Sequence, residues 1–252
     1  MHDNEKETDS NGGRWLEAQE YEKGYWEKLA GKIEEGAVSQ LDWYQWRATE
    51  LEKKLAKFLD EKTRSVKVLE VGSGPVGIVN YLKFGDRYAV DSLESFYRSK
   101  TTLTKLRDPA VHYISSKGEE LDFKDEFFSL IILDNVLDHV NAPGKVLNEI
   151  CRVLSKDGLF YIAVNVHTRW GAVLHSILSN LKIDRGHPYT FTPKSAGEFV
   201  NKHQFTILSE WVGDYYQARE EDRKSKSITD KIKGYTGLSE FVFSAVCSKA
   251  VK

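Results

Sequence analysis

The chain has 252 residues, 40% of them hydrophobic, which is enough for one α/β domain with a sizeable core. A formal net charge of −2 gives no electrostatic footprint for nucleic acid, so we expect no nucleic-acid partner. No apolar run approaches the ~18 residues of a membrane span, so we expect none. The two cysteines lie in apolar segments and are typical of reduced core residues, which favours a cytoplasmic protein.

An N-terminal helical cap is predicted over residues 14–62, after a polar and acidic tail at 1–13 that we expect to be disordered. Within the cap, residues 15–29 and 41–59 show helical periodicity and an unusual density of aromatic side chains. Aromatic residues at this spacing are usually core residues. The alternative interpretation is a lid that closes over a bound ligand.

A glycine-rich turn follows the first apolar strand, which is expected at 66–71. Gly72, Gly74 and Gly77 come directly after it, and glycine permits both a tight turn and close approach of a ligand to the backbone. A helix is expected at 76–84, and its free N–H groups and positive dipole end would then face that ligand.

The spacing of these glycines matches the G-x-G-x-x-G pattern of dinucleotide sites. Asp91 follows at about the 20-residue distance expected for an acid that binds ribose hydroxyls. By itself this spacing favours NAD. Glu70, two residues before the first glycine, argues against NAD, because a carboxylate there suits a cofactor with a cationic amino-acid part.

Strands and helices alternate through the middle of the chain, which predicts a parallel sheet covered on both faces. Strands are expected near 66–71, 87–91, 111–115, 128–133 and 159–165, with helices near 76–84, 93–106 and 143–154.

Several short motifs occur in a fixed order along this alternation. They are Leu69-Glu-Val-Gly-Ser-Gly74, the strand ending in Asp91, Gly118-Glu-Glu-Leu-Asp-Phe123, the strand ending in Asp134-Asn135, Val136-Leu-Asp-His-Val140, the helix 146–154, Lys156-Asp-Gly158 and the strand 159–164. In this order they resemble class I S-adenosylmethionine-dependent methyltransferases, specifically the small-molecule branch called type 11. One departure is Val76, where that family usually has glycine.

The resemblance implies an α/β fold with a doubly wound, mostly parallel seven-stranded sheet and an antiparallel edge hairpin. The hairpin is expected from strands at 206–212 and 240–248. The methyltransferase domain would span 63–252, with insertions at 166–191 and 214–238 near the ligand-binding edge of the sheet.

The resemblance also implies S-adenosylmethionine as the cofactor. Its expected binding residues are Glu70, Gly72, Ser73, Gly74, Asp91, Gly118, Glu119, Asp134 and Asn135. Glu70 and the glycines would hold the methionine part, Asp91 the ribose, and residues 118–119 the adenine edge. Two alternatives remain: Glu70 only caps the loop, or Asp91 only caps the next helix.

Histidines are the candidate general bases for a hydroxyl acceptor, because their pKa lies near neutrality. His139 follows the fourth strand, and His187 lies in the first insertion together with His167. The alternatives are that His139 packs at a helix start and that His187 only makes loop hydrogen bonds. No metal-ligand spacing stands out, and no metal is predicted.

The predicted function is transfer of a methyl group from S-adenosylmethionine to an O or N atom of a small-molecule acceptor. Tyr44 and Arg47 of the cap are the residues most expected to shape the acceptor site. The alternatives are an NAD-dependent oxidoreductase, favoured by the glycine spacing, and a non-catalytic cofactor-binding module. The sequence does not indicate the oligomeric state.

Overall fold

The computed structural model describes residues 12–36, 41–59, 66–180 and 188–250. Its strands are β1 (Lys67–Val71), β2 (Asp86–Asp91), β3 (Val111–Ser115), β4 (Phe128–Asp134), β5 (Leu154–Val166), β6 (Phe205–Val212) and β7 (Phe241–Lys249). Its helices are α1 (Gly12–Glu34), α2 (Trp43–Leu55), α3 (Glu94–Arg98), α4 (Thr101–Thr104), α5 (Pro143–Val153), α6 (Arg169–Asn180), α7 (Pro193–Lys202), α8 (Tyr215–Lys224) and α9 (Ile228–Thr236). Most of the tail predicted at 1–13 lies outside the described residues.

The seven strands form one sheet in the order β3-β2-β1-β4-β5-β7-β6. Strands β1 to β5 pair in parallel, whereas β7 runs antiparallel to both β5 and β6. The predicted fold class, including the antiparallel edge pair, is confirmed. The strand order reverses between β1 and β4, so a crevice opens at their carboxyl ends, where ligands bind in such sheets.

Both faces of the sheet are buried, which explains why its central strands have nearly continuous apolar sequences. In β4, Ile131 and Leu133 pack into the core on one face, and Leu130 and Ile132 pack into the core on the other. Helix α5 covers the first face. The N-terminal helix α2 covers the second face through buried residues such as Leu51.

The helix predicted at 76–84 is wrong, because the segment is a series of turns. The Arg87 guanidinium donates to the carbonyl oxygens of Val79 at 3.2 Å and Leu82 at 2.8 Å. The Glu70 carboxylate accepts the Val79 N–H at 3.0 Å. Side chains from the strands therefore satisfy backbone groups that a helix would have paired internally, and no helix dipole faces the glycine turn.

The helix predicted at 93–106 is divided into α3 and α4, because Lys100 has extended backbone angles between them. Strand β5 is longer than predicted at its start, where Leu154 pairs with Phe128 of β4. Among the described residues, no helix combines the length and apolar character needed to cross a membrane.

Candidate active site

A cavity of about 420 Å³ lies at the carboxyl ends of the central strands and beneath α1 and α2. Small-molecule sites are usually ~300–1,000 Å³ in volume. All the sequence-predicted cofactor residues and one predicted base line it: Glu70, Gly72, Ser73, Gly74, Asp91, Gly118, Glu119, Asp134, Asn135 and His139. Residues that are far apart in the chain thus meet at one concave surface.

The glycine turn forms the floor of this cavity. Gly72 has φ +73° and Gly74 has φ +61°, a region in which side chains are strained. A Cβ atom at Gly72 would overlap the side chain of Val136, and one at Gly74 would overlap the hydroxyl of Tyr44. Glycine is therefore required both by the backbone conformation and by the residues packed on the turn.

Asp91 holds the glycine turn against the end of β2. One of its carboxylate oxygens accepts the N–H of Gly74 at 2.8 Å, and the other accepts the N–H of Leu93 at 2.8 Å. Burial and, to a smaller extent, the negative charge of Glu22 raise the pKa of Asp91 to about 7, against the lowering effect of the two backbone N–H groups. Asp91 therefore lines the cavity, as predicted, and also stabilises the glycine turn.

Glu70 lies on the cavity wall and is 2% exposed. Burial raises its pKa to about 8, against the lowering effect of hydrogen bonds from the N–H groups of Val79 and Ile78. Within the chain, Glu70 therefore caps the loop, as the alternative interpretation expected. It also lines the cavity, where a cationic group of a ligand would be within reach.

An ion pair joins the cap to the end of β4. Arg47 of α2 donates to Asp134 at 2.7 Å, and the Asp134 side chain is 11% exposed. Burial raises the pKa of Asp134, while Arg47 and Lys54 lower it. The next residue, Asn135, has φ +58°, and its buried Oδ1 has no hydrogen-bond partner among the described residues. The wall thus offers an acceptor atom to a ligand.

The segment predicted to meet an adenine edge is also tied to its surroundings. The Glu119 carboxylate accepts the N–H groups of Asn141 at 2.9 Å and Ala142 at 3.1 Å, at the start of α5. Gly118 fits closely between apolar side chains, since an added Cβ would lie 3.0 Å from Val71. Lys117 places its ammonium 4.3 Å from the ring centre of Trp15 on α1.

The roof of the cavity includes one face of α1. The sequence analysis noted the aromatic residues of this helix but not its polar residues. Trp15, Gln19, Glu22 and Trp26 all line the cavity, and their spacing of four, three and four residues places them on one helical face. That periodicity was visible in the sequence. Gln19 also accepts a hydrogen bond from Ser92, beside Asp91, at 2.9 Å.

The predicted bases differ in position. His139 lines the cavity with 27% of its side chain exposed, and its Nε2 is 3.9 Å from a carboxylate oxygen of buried Asp138. His187 lies outside the described residues. His167 is buried and is not among the residues that line the cavity. His139 is therefore the candidate base with a described position at the site.

The family model of a methyltransferase domain matches residues 69–162. An uncharacterised protein of Methanocaldococcus jannaschii is 37% identical over 54 residues, which span 21% of this chain and 26% of that protein. The match to that curated relative thus covers about a quarter of its length.

Among solved structures, the YcgJ protein of Bacillus subtilis aligns with a TM-score of 0.56 and 15% identity, over 82% of this chain and 99% of that one. A phosphoethanolamine N-methyltransferase of Haemonchus contortus aligns with a TM-score of 0.57 and 15% identity, over 80% of this chain and 53% of that one. A geranyl diphosphate C-methyltransferase of Streptomyces coelicolor aligns with a TM-score of 0.56 and 12% identity, over 80% of each chain. These similarities establish the fold.

Residues 69–162 thus match a methyltransferase domain, and the fold is the one that class I methyltransferases share. Both findings support the predicted class of enzyme. One feature of the cavity fits S-adenosylmethionine: Asn135 on its wall has a buried Oδ1 with no hydrogen-bond partner among the described residues. The carboxyl groups of Glu70 and Asp91 add negative charge at this site when they are ionised, which favours a cationic ligand.

Proposed function

We propose that the cavity binds S-adenosylmethionine and that the enzyme methylates an O or N atom of a small-molecule acceptor. The observation that carries this proposal is the convergence of the glycine turn, Asp91, residues 116–119 and Asp134 on one cavity of about 420 Å³. When bound, S-adenosylmethionine supplies an electrophilic methyl group. The chain supplies alignment and exclusion of water.

Each part of the cavity has a proposed role. Glu70 attracts the cofactor's ammonium group, and Asp91 accepts hydrogen bonds from its ribose. Backbone N–H groups at Gly118 and Glu119 meet the adenine edge. Asn135 offers its Oδ1 to a donor of the ligand.

The acceptor is proposed to be small because helices close the cavity. Aromatic residues of α1 and α2 line it, including Tyr21, Tyr25 and Trp43, and Arg47 and Asp134 add one charged pair. A partly open site lined by aromatic and charged side chains suits a compact metabolite that carries a polar group. His139 is the proposed base for removing a proton from that group.

Calorimetric titration with S-adenosylhomocysteine tests the cofactor site, with NAD as the competing ligand. We expect saturable one-to-one binding of S-adenosylhomocysteine and none of NAD. Binding of NAD alone would support the oxidoreductase alternative instead. Release of S-adenosylhomocysteine in the presence of small amines, phenols and carboxylates then separates an active enzyme from a non-catalytic binding module.

Replacing Asp91 by alanine should weaken S-adenosylhomocysteine binding by about 1–3 kcal/mol, because polar ligand and backbone groups lose a buried acceptor. The N–H groups of Gly74 and Leu93 lose the same partner, so the variant should also unfold at a lower temperature. The matched control is Asp86→Ala, which removes an exposed carboxylate from the other end of β2. Equal affinity in wild type and Asp91→Ala would place the cofactor elsewhere.

Cofactor affinity should rise with pH through neutrality. The free protein holds a proton on Asp91 below its pKa of about 7, and the ribose hydroxyls require the ionised acceptor. For one such group the affinity increases about tenfold between pH 6 and pH 8. Titrations across this range measure the slope. Asp91→Ala should reduce the slope, because the ionisation of Glu70 and of the ligand itself is common to both proteins.

The stability of the free protein should change in the opposite direction. The folded pKa values of about 8 for Glu70 and about 7 for Asp91 lie above the ordinary values of 4.5 and 3.8. Between these limits the folded state binds more protons than the unfolded state, so the free energy of unfolding falls as pH rises. Urea denaturation at pH 5 and pH 8 measures the difference.

A further inference from the structure

A second polar cluster lies outside the cavity and consists of His167, His175 and Glu240. One ligand atom from each lies within 4.8 Å of those of the other two. His167 Nε2 is 3.9 Å from a Glu240 carboxylate oxygen, and the imidazole rings stack with centres 4.6 Å apart. Both histidines are 4% exposed. None of the three is among the residues that line the cavity.

We propose that these three side chains bind a Zn²⁺ ion. Two imidazoles and one glutamate form a recurrent zinc ligand set, with a water molecule as the fourth ligand. Three atoms within 4.8 Å of one another lie at most ~2.8 Å from a common centre, so each side chain moves by less than ~1 Å to reach a Zn–ligand distance of ~2.0–2.2 Å.

Neighbouring groups orient the ligands as the partners of zinc ligands commonly do. The Nδ1 atom of His175 lies 2.6 Å from the hydroxyl of Thr190, so the other ring nitrogen is the proposed ligand. Lys233 contacts Glu240 Oε2 at 3.3 Å, whereas His167 approaches Oε1. The ammonium and the ion therefore use different oxygens of the carboxylate.

The proposed ion would connect the first inserted segment to the residues that directly follow the second. His167 directly follows β5, His175 belongs to α6, and Glu240 lies between α9 and β7. The two segments already pack closely, since Trp170 donates to the carbonyl oxygen of Thr236 at 3.3 Å. A bound ion stabilises the folded state by an amount set by its concentration and affinity, so zinc holds α6 against the end of α9.

Metal analysis of the whole untagged protein tests this proposal. After removal of metal with EDTA, dialysis against Zn²⁺ and gel filtration, we expect one zinc per chain and a higher melting temperature than the metal-free protein shows. Co²⁺ should replace zinc and produce the visible absorption of a low-coordinate site. A zinc content near zero, with no shift in melting temperature, would overturn the proposal and leave the cluster as an ion-paired group.

Variants distinguish this site from adventitious binding. Glu240→Gln and His167→Gln should each lower zinc affinity by more than 100-fold, and Thr190→Val should lower it by about 10–100-fold. His203→Gln is the matched control, because that histidine is partly buried and hydrogen-bonded but lies at the end of α7, outside the cluster. Unchanged zinc content in Glu240→Gln and His167→Gln would contradict the assignment, whatever their stability. The Co²⁺ spectrum of Thr190→Val provides a second readout should a ligand variant fail to fold.

Discussion

Replacing Arg107 by leucine is expected to lower the free energy of unfolding by about 3–5 kcal/mol, the usual cost of breaking a buried ion pair by removing one partner. Arg107 donates to both oxygens of Glu94, at 2.9 and 2.5 Å, and the Glu94 side chain is 1% exposed. Its Nε also donates to the carbonyl oxygen of Pro75 in the glycine turn at 2.6 Å. Urea denaturation followed by circular dichroism measures the loss.

Arg98→Leu is the matched control for this prediction. Arg98 contacts the same carboxylate at 3.2 Å, but its side chain is 69% exposed, so its removal should cost less than ~1 kcal/mol. The double variant Glu94→Leu/Arg107→Leu should recover part of the loss, because no unpaired charge remains buried. Similar effects of Arg98→Leu and Arg107→Leu would show that burial of the pair does not determine its energy.

Replacing His139 by alanine is expected to lower kcat by about 10²–10⁴-fold, the usual contribution of a general base. The affinity for S-adenosylhomocysteine should stay within a few-fold of wild type, since the proposed cofactor contacts come from other residues. The measurement is the rate of S-adenosylhomocysteine release with an acceptor that supports turnover. His112→Ala, which removes an exposed histidine of β3, is the control.

Two further readouts separate a base from a packing residue. Added imidazole should restore part of the activity of His139→Ala. Asp138, 3.9 Å from the imidazole, would orient the ring, so Asp138→Asn should lower kcat less than His139→Ala. Unchanged turnover in His139→Ala would assign proton removal to another group, or to the acceptor itself.

Two oppositely acting features determine the electrostatics of the proposed cofactor site. Burial raises the pKa of Glu70 to about 8 and that of Asp91 to about 7, so the free site holds protons near neutral pH. Backbone N–H groups within hydrogen-bond distance favour the charged forms. A cationic ligand also favours the ionised carboxylates, as the backbone N–H groups do. We therefore expect protons to leave the site when the cofactor binds.

Much of the parallel sheet was predictable because each central strand is a short apolar run ending in a glycine or a polar residue. Strand β3 was predicted with its observed bounds, and α5 to within one residue. The segment 76–84 was not predictable, because its pairing depends on Arg87 and Glu70. Local periodicity carries no information about hydrogen bonds from side chains on neighbouring strands.

The amino-acid sequence by itself indicated the class of enzyme and determined the alternation of elements and the residues expected at the ends of the strands. Local apolar patterns and turn residues are sufficient for these features, since parallel strands bring their carboxyl ends to one edge of the sheet. Only the tertiary structure decided which distant groups meet: Arg47 with Asp134, Arg107 with Glu94, and His167 with Glu240. Such pairs depend on packing between elements far apart in the chain, and packing leaves no fixed spacing in the sequence.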